Sequence, residues 1–287
     1  MPHDFRFGSI DGFSCRSVRV NWCHVKRTTD STPRETNVFS LDGRVALVTG
    51  SSTGLGKAIA IALGKAGATV AMNYYNNDER AAQALQEFRE AGGTGEMFKA
   101  NVIDPDDVTR LYEEIKEKLG PVDILVCNAT PDQPQKPIEE YDWEFYQSML
   151  DFFIKSPYLL SLACLPHMKE QKWGRIINIT SEVFQQGVSP FTAYVAAKGG
   201  QTGFCRSLAR ELAPDQITVN MVAPGWIPVE RHEKDPQELK DGYFANIPMQ
   251  RWGVPDDIGA AVCFYASEEA GFVTGQTVSV NGGMTVN

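Results

Sequence analysis

No run of consecutive apolar residues in this sequence approaches the roughly 20 that a membrane-spanning helix requires. The opening Met1-Pro2-His3-Asp4 soon turns polar and lacks the basic-then-apolar layout of a secretory signal. Positive charge is in deficit: 27 Lys and Arg stand against 36 Asp and Glu, a formal net charge of −9. That balance argues against nucleic acid or an anionic membrane as a partner. Cysteine is sparse, and the six at positions 15, 23, 127, 164, 205 and 263 form no C-x-x-C pair. Free, mostly packed thiols in a reducing, cytoplasmic compartment are expected. The four histidines, at 3, 24, 167 and 232, make no H-E-x-x-H or comparable set, so no metal site is expected.

What is present is enough chain for a substantial core: 287 residues, 43% of them hydrophobic. Residues 1–40 carry no sustained strand or helix pattern and mix Arg16, Arg19, Lys26 and Arg27 with Asp11, Asp30 and Glu35, which predicts a flexible or irregular extension. From Arg44 the pattern changes. Val45 to Thr49, Thr69 to Asn73, Glu96 to Ala100, Asp123 to Cys127, Arg175 to Thr180, Ile217 to Val222 and Thr277 to Val280 are seven strand candidates separated by helical stretches. One helix opens at Asp104 as cap with Pro105 behind it, and another is expected to bend near Pro157. This order predicts one doubly wound α/β domain over 41–287, a Rossmann-type fold around a seven-stranded, mainly parallel sheet. Residues 224–255, rich in Pro, Gly and charge, are expected to form a substrate loop.

Between the first strand and helix lies Thr49-Gly50-Ser51-Ser52-Thr53-Gly54-Leu55-Gly56. Gly50 permits a tight turn, and Gly54 and Gly56 allow close backbone approach, leaving helix N-terminal N–H groups to face a pyrophosphate. A phosphate-hydrolysing loop fits poorly, because Ala58 after Lys57 supplies no hydroxyl for Mg²⁺ and Gly50 is one position too early. After strand two, Asn73-Tyr74-Tyr75-Asn76-Asn77 holds no carboxylate before Asp78 and no nearby Arg or Lys. Either NADP or NAD is therefore admissible. Further along, Tyr194 and Lys198 are four residues apart on a predicted helix and share a face, where an ammonium favours the phenolate.

Taken together, Thr49 to Gly56, Asn128-Ala129, Ser181, Tyr194-x-x-x-Lys198 and Pro224-Gly225 resemble the classical short-chain dehydrogenase/reductase family, most of all bacterial glucose dehydrogenases and 3-oxoacyl-carrier-protein reductases. The resemblance implies NAD(P)-dependent interconversion of an alcohol and a carbonyl, with Tyr194 as acid/base, Lys198 as its electrostatic partner and Ser181 as orienter of the substrate oxygen. It implies cofactor contacts at Gly50, Ser52, Thr53, Gly54, Leu55, Gly56, Asn73, Tyr74, Asn101, Val102, Asn128, Ala129, Tyr194, Lys198, Pro224, Gly225 and Ile227. Two positions depart from the family pattern. Phe153 stands where a helix Asn is usual, and Thr130 where Asn-Ala-Gly is usual; both are substrate-contact candidates, as are Glu182, Phe184, Gln185, Trp226, Arg231 and His232. Their mixed polarity points to a sugar, polyol or keto compound, while a catalytically altered nucleotide-binding or scaffolding protein is the alternative. Family likeness implies a homotetramer or homodimer.

Overall fold

The structure, a computed structural model, describes residues 38–286. The extension expected over 1–40 lies outside them up to residue 37, as do Cys15, Cys23, His3 and His24.

The chain alternates β1 (Val45–Val48), α1 (Gly54–Lys65), β2 (Thr69–Tyr74), α2 (Asp78–Glu90), β3 (Thr94–Lys99), α3 (Pro105–Lys118) and β4 (Ile124–Cys127). Helices α4 (Trp143–Leu150) and α5 (Ser156–Gln171) follow, then β5 (Gly174–Ile179), the short α6 (Val183–Gln186), α7 (Thr192–Leu212), β6 (Ile217–Pro224), α8 (Gln237–Phe244), α9 (Pro255–Ala266) and β7 (Thr277–Val280). The strands form one seven-stranded sheet, ordered β3-β2-β1-β4-β5-β6-β7, and every pairing is parallel. The order reverses between β1 and β4, so the crevice at the carboxyl ends of those strands is the natural ligand site of such a sheet.

Both sheet faces are covered, which is why β1, β4, β5 and β6 are buried at every position. On one face Ile59 and Leu63 of α1, Phe88 of α2 and Ile258 and Val262 of α9 close over the strands. On the other, Leu111 and Ile115 of α3, Leu160 and Met168 of α5 and Cys205 and Leu212 of α7 do the same. Each fully buried side chain of this size contributes about 1.5–3 kcal/mol relative to exposure.

Three local differences from expectation have simple causes. Strand β3 begins at Thr94, two residues early, because Gly95 lies against the Val70 carbonyl where an added Cβ would approach to 2.0 Å; the glycine is a close-packing strand residue. Pro224 belongs to β6 and not to the following loop: its missing N–H matters little at a strand end, and its carbonyl accepts from Glu182 N at 3.1 Å. The irregularity expected near Pro157 is a π-helical turn at Asp151–Lys155, just before it. Pro157 has no N–H for the Phe153 carbonyl, and an extra residue in the turn absorbs the mismatch. The resulting run Trp143–Gln171 holds an 18-residue window of mean hydropathy 1.3, long and apolar enough to cross a membrane by length and composition. Here Met149, Phe153, Leu160, Cys164 and Met168 are buried in the core clusters.

The predicted cap at Asp104 is formed: its side chain accepts from Asp106 N and Asp107 N at 3.0 Å each. Asp104→Ala is expected to cost about 1 kcal/mol of unfolding free energy, read in urea as a lower midpoint with an unchanged slope.

Candidate active site

At the carboxyl end of β1 the chain turns through Gly50, whose φ of +62° suits glycine. A Cβ on Gly56 would lie 2.3 Å from the Gly50 carbonyl and 2.5 Å from Asn128 Nδ2, so helix α1 and β4 approach through this residue. Asn128 Nδ2 donates to the Thr49 and Gly50 carbonyls at 2.9 and 3.2 Å, and Thr49 Oγ1 accepts from Asn128 N and Ala129 N at 2.9 and 3.0 Å. Asn73 is almost fully buried. Its Oδ1 accepts from Gly50 N at 3.3 Å, and its Nδ2 donates to the Ala100 carbonyl at 3.1 Å. Asn73 thus braces the turn from β2. Ser52 and Val102 are buried as well, and Asn101 holds the next connection through Ile103 N and Asp107.

The N-terminus of α1 is occupied. Gly54 N donates to Glu230 Oε2 at 3.1 Å, and Glu230 Oε1 lies 3.5 Å from Lys57 Nζ, which also pairs with Glu87 at 2.7 Å. A carboxylate therefore sits where the helix offers free N–H groups and a positive dipole, the setting an anionic phosphate would use. The glycine cradle and this anion-accepting end fit a dinucleotide's pyrophosphate. Glu230 thus faces the start of α1, although it and Gly54 lie 176 residues apart. A cation also stands nearer Asn73 than the sequence suggested. Register pairs Tyr74 with Lys99, and Lys99 Nζ and Tyr74 OH both donate to Asp78, at 2.9 and 2.8 Å.

Tyr194 and Lys198 project from α7 beneath the ends of β5 and β6, and both are buried. Lys198 Nζ donates to the Ile179 carbonyl at 2.8 Å and to Gln201 Oε1 at 3.1 Å. It lies 3.7 Å from the Phe153 ring centroid and 5.5 Å from that of Tyr194. Phe153 and Phe191 pack on the Tyr194 ring with centroids 5.3 and 4.8 Å away. Burial pushes the Tyr194 phenol up, while the Arg231 charge and a hydrogen bond with Ser181 pull it down. Burial holds the Lys198 amine well below its usual value. The predicted trio of Ser181, Tyr194 and Lys198 is therefore brought together.

The expected wall residues divide. Phe153 is 2% exposed and belongs to the aromatic packing around Tyr194, so it does not line an open pocket. Glu182 is also buried: its carboxylate accepts from Tyr243 OH at 2.5 Å and from Asn281 Nδ2 at 2.8 Å, joining the Ser181 loop to α8 and the chain's last strand. Burial raises its pKa, against those hydrogen bonds. His232 Nδ1 accepts from Val229 N at 3.2 Å, and burial lowers its pKa. Trp226 packs edge-on to Tyr243, Trp252 and His232, and Ile227 is buried, whereas Phe184, Gln185 and Arg231 are exposed. Thr130 is exposed and accepts from Gln133. A cavity of about 260 Å³ lies among Trp226, Tyr243, Ile247 and Asn281, but neither Tyr194 nor Ser181 lines it. The Tyr194–Lys198 pair lies outside this cavity, with Lys198 bonded at the end of β5. The sequence did not signal Tyr243, Asn281 or Lys99, whose roles arise from long-range contacts; Gln201 was visible as the i+3 neighbour of Lys198.

Compared with known proteins, residues 50–285 match the family described as Enoyl-(Acyl carrier protein) reductase. The chain is 41% identical over 244 residues to the 3-oxoacyl-(acyl-carrier-protein) reductase FabG of Haemophilus influenzae, covering 85% of this chain and 99% of that protein. It is 39% identical over 248 residues to FabG of Escherichia coli, covering 86% and 99%. Among solved structures, a protein assigned as a gluconate dehydrogenase from Agrobacterium tumefaciens superposes with a TM-score of 0.82 at 32% identity, covering 87% of this chain and 99% of that one. Another, assigned as an NAD(P)-dependent gluconate 5-dehydrogenase from Beutenbergia cavernae and holding NADP, gives 0.79 at 32% identity, covering 86% and 98%. Likeness of this extent, on a sheet of this order with a glycine turn at its switch point, has one reading: the chain belongs to the classical short-chain dehydrogenase/reductase family and is an NAD(P)-dependent oxidoreductase.

Proposed function

We propose that this enzyme interconverts an alcohol and a carbonyl on a small oxygenated substrate, with Tyr194 carrying the proton. The observation that supports this most is the buried Lys198 amino group 5.5 Å from the Tyr194 ring and bonded to the carbonyl at the end of β5. A bound nicotinamide supplies or accepts the hydride. The protein handles the proton. In oxidation the Tyr194 phenolate takes it from the substrate hydroxyl, and in reduction the phenol returns it to the carbonyl oxygen. Ser181 orients that oxygen, and the Arg231 charge favours the phenolate; a protonated Lys198 beside the ring adds to the same effect. Oxidation therefore rises with pH through the Tyr194 ionisation, and reduction falls through it.

For the dinucleotide, the α1 N-terminus with Gly54, Leu55 and Thr53 would hold the pyrophosphate. Tyr74 and Lys99 lie at the adenosine end, where Lys99 could exchange Asp78 for a 2′-phosphate. Trp226, Phe184 and Arg231 supply the remaining wall, suited to a sugar, polyol or keto compound. We read 41–287 as one catalytic domain with 224–255 as its substrate segment, working as a homotetramer or homodimer in a reducing, cytoplasmic setting.

Two variants test this reading. Tyr194→Phe is expected to lower turnover on a panel of sugars, polyols and keto compounds by about 10²- to 10⁴-fold while leaving NADP(H) affinity nearly unchanged; full turnover would remove Tyr194 from its role. Glu230→Gln withdraws the carboxylate from Gly54 N and is expected to tighten NADP(H) binding about three- to tenfold by fluorescence titration. Weaker binding would mean that the segment carrying Glu230 supports the cofactor and does not compete with it.

A further inference from the structure

An ammonium carries three N–H donors and, once buried, needs a partner for each. Around Lys198 the partners are unusual. The Ile179 carbonyl and Gln201 Oε1 accept from Nζ at 2.8 and 3.1 Å, and on another side the group meets the face of Phe153, 3.7 Å from its centroid. Gln201 is 1% exposed, and its Nε2 donates to Asn178 Oδ1 at 3.3 Å, which fixes the amide with its oxygen toward the ammonium. Asn178 Nδ2 in turn has no hydrogen-bond partner among the described residues. Packing alone does not account for a buried amide at 201: a methionine or leucine would fill its volume, but only the amide both accepts from Lys198 Nζ and donates to Asn178 Oδ1.

We propose that Gln201 is a positioning residue for the reaction: its amide oxygen holds Lys198 charged and against the Ile179 carbonyl, under the Tyr194 phenol, where position 153 offers only a ring. The inference rests on Tyr194 and Lys198 being the proton-handling pair. Other ionisable groups facing the amine are Cys205 on α7, Cys127 on β4 and Arg231 after β6. Burial keeps both thiols protonated, Cys205 being pushed up to about 12. Arg231 is therefore the only other charge in play among these. Without the Gln201 oxygen the buried amine favours its neutral form, Tyr194 loses a nearby cation, and its phenolate forms at higher pH.

The test titrates Tyr194 by tyrosinate absorbance, as the difference from a Tyr194→Phe background, in the full chain carrying Gln201→Met, Gln201→Asn or Lys198→Met. The Asn variant keeps the amide but falls one methylene short, and it is the one read if the Met variant does not fold. Both Gln201 variants are expected to raise the midpoint by about one pH unit and to lower kcat about ten- to a hundredfold, with the cofactor KM little changed. A parental midpoint in a folded Gln201 variant, with Lys198→Met shifted upward, overturns the inference alone. A parental midpoint in Lys198→Met overturns the pairing of Lys198 with Tyr194 as well.

Discussion

The chemistry proposed for this site depends on keeping a positive charge inside the protein. Isolated, a lysine amine this deeply buried would shed its proton. The fold supplies the Ile179 carbonyl at the last residue of β5, a glutamine oxygen one turn along α7 and an aromatic face from the helix opposite. These three come from different parts of the chain, so the Lys198 amino group is held where β5, α7 and the α4–α5 connection meet. Under the proposed function, the arrangement ties the acid/base chemistry of Tyr194 to the integrity of the sheet, with its partner lysine bonded at the carboxyl end of β5.

Under the proposed function, the same edge of the sheet would take the cofactor by a different means. Glycine removes bulk where β1, α1 and β4 converge, and Asn73 and Asn128 spend their amides on holding the turn. What is left free is backbone N–H at the start of α1, and in this structure Glu230 takes it. The segment after β6 thus bears on both halves of the proposed site: Glu230 bonds the N-terminus of α1, and the Arg231 charge lowers the pKa of the Tyr194 phenol. Tyr243, bonded to both Glu182 and Trp226 N, fastens that segment to the Ser181 loop.

Much of this was legible in the sequence for reasons that can be named. Parallel strands covered on both faces read as short apolar runs, so Val45 to Val48 and Ile124 to Cys127 stood out; β3 at the edge, half exposed and opening on Thr94-Gly95, did not show its true start. Tyr194 and Lys198 could be placed on one face because helical spacing is local. Gln201 obeys the same spacing, but nothing in its type announces a partner for an ammonium. Lys99 beside Tyr74, Glu230 at Gly54 and Tyr243 on Glu182 depend on strand register and chain return, which no local pattern encodes. Phe153 reads as a departure in sequence and as a packed ring against Lys198 in three dimensions.

The most direct test of the account is a crystal structure of the protein with NADP bound. It should show the pyrophosphate at Gly54 N with the Glu230 carboxylate displaced, and the nicotinamide end of the cofactor beside Tyr194 and Lys198. A dinucleotide seated away from the β1–α1 turn, or side chains at 194 and 198 directed out of the cleft that holds it, would contradict it.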